Sequence, residues 1–204
     1  MQSRFPHAYV LNVVSDDHPG IVAAVSRAVA ARGGNIDAVS QTVLGGYFSL
    51  ITVVSFPHGV EPEALQRETA GEPGTGSGLQ ATVRRFEPPD APAPAEAPER
   101  FVLTAIGVDR PGIVLAISEA LAARGVNIVD LQGEHRGDDF LLICQVEVPA
   151  GTEVHALRAD LEAMAGPEGL AVHLQHENVF VATNQLQMNR PRPPTPVTRR
   201  WHGP

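Results

Sequence analysis

The chain has 204 residues, a formal charge of −8 and an apolar share of 43%. That length suits one or two domains with packed cores, and the acidic balance argues against general affinity for nucleic acid or an anionic membrane. All fifteen Lys+Arg positions are arginine, so Schiff-base chemistry, pyridoxal phosphate attachment and the P-loop lysine are excluded.

In chain order, residues 8–15 read as a β-rich run that ends at Asp17-His18-Pro19-Gly20. A helix is predicted over 20–32, with Ile21, Val22, Val25 and Val29 on one face. Gly33-Gly34 stops it, as glycine does past a helix end. A strand over 36–44, a Gly45-Gly46 hairpin turn and a strand over 47–56 follow. A short helix opens at Pro62, and a strand over 79–86 closes the unit.

The series then begins again. Asp17-His18-Pro19-Gly20-Ile21-Val22 returns as Asp109-Arg110-Pro111-Gly112-Ile113-Val114, an offset of 109 − 17 = 92 residues. At that offset Asn35-Ile36 recurs as Asn127-Ile128, and Ala64-Leu65 as Ala156-Leu157. The second set reads as strand 101–108, helix 112–124, strand 127–135, turn 136–138, strand 139–148, helix 152–165 and strand 170–176. In the second helix Ile113, Val114, Ile117 and Leu121 are expected to face inward. A repeat of this length means two copies of one small domain.

The domains are expected at 1–86 and 100–183. Between them lies an acidic, proline-rich linker at 87–99, and a Pro/Arg-rich tail at 184–204 is expected to be disordered. The βαββαβ order is α+β, with a four-stranded antiparallel sheet and both helices on one face. Ile51 and Val53, and likewise Leu141 and Ile143, fall on the other face. A second chain covering that face would make a homodimer.

The strand-to-helix turn carries the chemistry. Asp-x-Pro-Gly sets a carboxylate beside a helix N-terminus whose first amides have no intrahelical acceptor, and such an end attracts a carboxylate. Asp17 or Asp109 would accept from an ammonium group, and the amides of Asn35 and Asn127 can donate and accept. Together these groups suit a zwitterion. The same residues also read as a plain Asp helix cap and a turn Asn.

These motifs resemble the ACT domain: DxPGI, an Ala-rich helix ended by Gly, then Asn-Ile opening a strand. Two such units with no catalytic domain are similar to the glycine cleavage system transcriptional repressor family. The resemblance covers roughly residues 5–180. It implies a ferredoxin-like, non-enzymatic regulatory protein that binds a small amino acid where two modules meet, with no cofactor. It would govern transcription of glycine metabolism, and the acidic charge and the lack of a helix-turn-helix pattern point to indirect control through a regulatory protein partner, without contact with nucleic acid.

The implied ligand residues are Asp17, His18, Pro19, Gly20, Ile21, Asn35 and Ile36, and Asp109, Arg110, Pro111, Gly112, Ile113, Asn127 and Ile128. The copies differ where His18 becomes Arg110 and Asp37 becomes Val129. A ligand-free interaction or oligomerisation module is the alternative.

Other features point away from sites. The glycine-rich run 71–78 precedes a strand and lacks lysine, so it reads as a loop rather than a phosphate cradle. His173 and His176 alternate across a strand, which disfavours joint chelation. His135, near Glu134 and Asp138, sits at a hairpin. Cys144, the only cysteine, falls on a core face and reads as an inert thiol. A single cysteine and the absence of a long apolar run at the start fit a cytoplasmic protein with no membrane span.

Overall fold

The computed structural model describes residues 3–71, 78–87, 96–166 and 169–181. Most of the glycine-rich run, most of the expected linker and the expected tail lie outside the described residues. The chain divides into a first unit, Met1–Ala91, and a second, Pro92–Pro204.

The first unit runs β1 (His7–Asp16), α1 (Ile21–Ala31), β2 (Asn35–Leu44), β3 (Tyr47–Phe56), α2 (Pro62–Gly71) and β4 (Gln80–Arg85). The second repeats it as β5 (Glu99–Val108), α3 (Ile113–Ala123), β6 (Asn127–Arg136), β7 (Asp139–Val148), α4 (Val154–Ala165) and β8 (Leu170–His176). Glu99, expected in the linker, opens β5 and pairs with Val148.

Each unit is a four-stranded antiparallel sheet, ordered β2-β3-β1-β4 and β6-β7-β5-β8. The crossing helices place the first and third strands at the centre and leave the second and fourth as edges. Both second strands carry a β-bulge two residues in, between Ile36 and Ala38 and between Ile128 and Asp130. The extra residue is Asp37 in one unit and Val129 in the other.

Alternation along the central strands sends one set of side chains to the helices. Leu11, Val13, Leu50 and Val54 meet Ile21, Val25, Val29 and Leu65 in the first core. Leu103, Leu142, Cys144 and Val146 meet Ile117, Leu121, Leu157 and Leu161 in the second. Two inward expectations are corrected. Val22 is 48% exposed and Val114 42% exposed, while Ala24 and Ala28 are buried instead. The buried face of α1 is 21, 24, 25, 28 and 29, and Val22 lies off that stripe.

The last turn of the first helix is tied to the second helix in the same way in both units. Arg32 makes a bidentate pair with Glu68, at 2.6 and 2.5 Å. Arg124 pairs with Asp160 at the positions 92 residues on. The Arg32 hydrogen bond is the main reason that the Glu68 carboxyl lies below its ordinary range.

Candidate functional site

The Asp-x-Pro-Gly turn is not a side-chain cap. The N-cap residue of α1 is Gly20, at φ 106°, and that of α3 is Gly112, at φ 97°; neither helix has a side-chain capping hydrogen bond. Both values lie where L-residues rarely go, which accounts for glycine at this position. The Gly20 carbonyl accepts from Ala24 N and the Gly112 carbonyl from Ala116 N, each at 2.9 Å. The amides of residues 21–23 and 113–115 have no acceptor within their helices.

The aspartates are held by backbone. Asp17 N donates to Gly46 O at 2.9 Å, and Asp109 N to Asp138 O at 3.2 Å, so each turn docks on the hairpin of its own sheet. Both aspartates are exposed. In the second unit His135 Nδ1 lies 3.5 Å from Asp109 Oδ2, and the His135 ring meets Phe140 edge-on. The first unit has Val43 where the second has His135.

Asn35 and Asn127 sit elsewhere. Asp16 is registered against Tyr47, whereas Asn35 is registered against Ser55. Eight residues of strand separate those positions, about 27 Å. Val108 against Asp139 and Asn127 against Glu147 repeat the spacing. Within one unit the turn residues and the asparagine are therefore at opposite ends of the sheet. Asp17, His18, Pro19, Gly20 and Ile21 cluster at one end, with Asn35 and Ile36 at the other. Asp109, Arg110, Pro111, Gly112 and Ile113 likewise stand apart from Asn127 and Ile128. Ile21 and Ile113 are buried core residues and contribute backbone only.

The asparagine ends differ between the units. Asn35 Nδ2 donates to Asp37 Oδ1 at 2.7 Å and to Ile36 O at 3.1 Å. Arg4 N also donates to Asp37 Oδ1, at 3.1 Å, and Phe5 N donates to Ser55 Oγ at 3.2 Å. Burial opposes ionisation of Asp37. The Ser55 hydroxyl, the Asn35 amide, Arg4 N and the Arg4 charge outweigh it and hold the carboxyl below its usual range. Asp37 Oδ2 is buried without a well-aligned partner, so Ser55 acts there as a nearby dipole rather than through a formed bond. This clasp was not evident from the turn motif. Its sequence signal is the pair of changes Asp37 to Val129 and Ser55 to Glu147 at the repeat offset.

Among the features set aside earlier, Cys144 is fully buried, and burial, with the Asp130 charge behind it, pushes its thiol up to about 11. His173 is exposed, while His176, on the other face, packs edge-on against Phe101. No helix among the described residues is long and apolar enough to cross a membrane.

Comparison with known proteins agrees with this architecture. ACT-domain family models match residues 9–68 and 99–175. The chain belongs to the ACT-domain family and carries two copies of the domain. It is 35% identical over 83 residues to a UPF0237 protein of Methanococcus maripaludis, covering 40% of this chain and 92% of that protein. It is 38% identical over 88 residues to a UPF0237 protein of Methanopyrus kandleri, covering 43% and 98%. Two solved structures share the fold across both units. A protein from Galdieria sulphuraria aligns with TM-score 0.67 and 24% identity, over 83% of this chain and 98% of that one. A candidate glycine cleavage system transcriptional repressor aligns with TM-score 0.62 and 20% identity, over 83% and 96%.

Proposed function

We propose that this chain is a non-enzymatic regulatory protein that binds a small amino acid and passes the bound state to a protein partner. The observation that carries the reading is the pair of helix N-termini opened by Gly20 and Gly112. Each offers backbone amides with no side-chain cap, beside an exposed aspartate. Such an end takes a carboxylate, and the aspartate takes an ammonium. Because Asn35 and Asn127 lie at the far end of their own units, a ligand touching both a turn and an asparagine needs a turn from one unit and a strand start from another. Binding then favours one arrangement of units, in one chain or in a homodimer, and the partner reads that population.

The family and the likeness to a candidate repressor of the glycine cleavage system support glycine metabolism as the regulated process. The charge of −8 supports control through another protein rather than through direct contact with DNA.

A thermal-shift titration of the full chain against the twenty amino acids, with calorimetry on each hit, tests the reading. A ligand at a hundred times its Kd adds about 2.7 kcal/mol. The response is expected to vanish in Asp109→Ala or Asn127→Ala at unchanged apo stability. No response to any amino acid would leave a ligand-free interaction module. Exposed apolar residues on and beside the β2 edge, Val39, Val43, Leu44 and Tyr47, favour that second reading.

A further inference from the structure

The two units share a fold and differ at one corner. In the first, the chain entering β1 is laced to the start of β2 and the end of β3 through Asp37 and Ser55. In the second, Val129 and Glu147 stand at those positions, and Val129 is 49% exposed. Valine has no acceptor, so the Asp37 part of the clasp cannot form there.

The corner is open. A cavity of about 490 Å3 lies between the chain entering β5, the start of β6 and the end of β7. Its lining includes Glu96, Asn127 and Glu147 over a floor of Pro98 and Pro149. Asn127, whose counterpart makes two hydrogen bonds, has none from its side chain among the described residues. Glu147 keeps one loose contact, with Arg100 at 3.4 Å. Among the described residues, no cation lines the cavity. Two carboxylates and an amide oxygen around an apolar floor match a positive donor group on a short hydrocarbon body.

We propose that this corner of the second unit is a binding site for a small organic cation, an amine or guanidinium of amino-acid size. In the first unit the matching amide is already bonded to Asp37, so the same site is not expected there. The inference shares Asn127 with the amino-acid reading and rests on it no further.

Calorimetry on the full chain with agmatine and putrescine tests it, with butyramide as a neutral control and isobutyrate as an anionic one. Saturable binding of at least one cation and none of the controls is expected. Glu96→Gln and Glu147→Gln should each weaken it about three- to tenfold. Glu63→Gln, at an exposed position of α2 in the first unit, should leave it unchanged, and Val129→Asp with Glu147→Ser should abolish it by removing one carboxylate and engaging the Asn127 amide. Melting curves check that the variants fold, and Glu96, being exposed, is the safest to change. No saturable binding of either cation, equal binding of butyramide, or binding indifferent to both glutamines overturns the proposal. Cation binding with no amino-acid response keeps this site and removes the sensor reading. An amino-acid response with no cation binding does the reverse.

Discussion

Asn35 Nδ2 donates to Asp37 Oδ1 across 2.7 Å, and this short bond commits in the first unit the amide that the second leaves available. Asp37 also receives Arg4 N, so one carboxylate ties the entering chain to the second strand. Asp37→Ala should cost about 1–2 kcal/mol, the usual range for leaving partly buried donors unpaired. The pH dependence has a definite sign. The folded pKa is depressed, so the stabilisation is present above the ordinary aspartate range and is lost as pH falls through the lower folded value. A urea-midpoint series from neutral to acid pH should fall less steeply for Asp37→Ala than for the parent chain.

Gly112 supports a prediction about the turn itself. Its φ of 97° is strained for any L-residue, and a Cβ there would meet nothing within 4 Å. The cost of Gly112→Ala is therefore conformational, about 1–2 kcal/mol. If the amino-acid reading holds, the variant should also lose ligand response beyond its stability loss, because the helix amides would shift. Comparing ligand-induced melting shifts at matched apo stability separates the two effects.

The fold was legible because the repeat is long and its turns are punctuated by glycine and proline. Each element from β5 to β8 lies where the 92-residue offset from its counterpart in the first unit places it, within two residues at each end. Faces were harder to read. Val22 and Val114 look like core residues by hydropathy, yet both are exposed, and in α1 the buried stripe runs through Ala24 and Ala28. Where the candidate residues fall relative to one another was not legible. Asp17 and Asn35 are 18 residues apart in sequence, but the intervening helix spans about 16 Å and carries them to opposite ends. The Asp37 clasp joins residues 33 and 50 apart in sequence, and no local pattern encodes such contacts.

The Arg32–Glu68 pair sets a modest expectation. Its side chains are 32% and 47% exposed, so solvent screens much of the attraction. Glu68→Gln should cost roughly 0.5–1 kcal/mol, a little above a simple surface pair because the contact is bidentate. The Glu68 pKa is depressed, so this contribution too is present above the ordinary glutamate range and lost on acidification. Melting in low and high salt checks it: the difference between parent and variant should shrink as salt rises.

Gly107 predicts a larger penalty. It sits in β5 where a Cβ would come within 2.4 Å of Gly169 O and 3.1 Å of Leu170 Cα. Both are backbone atoms, so no side-chain rotation relieves the clash. Gly107→Ala should cost about 1–3 kcal/mol through a forced shift of β8 against β5. The first unit carries Ser15 at the same position, buried at 3% exposure, so the requirement belongs to the second unit alone. Hydrogen exchange would show faster opening confined to β5 and β8, with β1 and β4 unaffected.

Cys144 offers a probe of the second core. Its thiol is pushed up to about 11, first by burial and then by the Asp130 charge. At pH 8 about one thiol in a thousand is ionised, against roughly a quarter for an ordinary cysteine. A thiol reagent at pH 8 should therefore label the native chain only as fast as the second unit opens. The raised pKa fixes the sign of the alkaline limb: the benefit of burying a neutral thiol is full below the ordinary thiol range and is lost as pH climbs toward 11. Destabilising the second unit with Gly107→Ala should speed labelling by the factor that its lost stability implies. Asp37→Ala in the first unit should leave labelling unchanged if the units open independently, and labelling that follows Asp37→Ala as well would mean that the two cores unfold together.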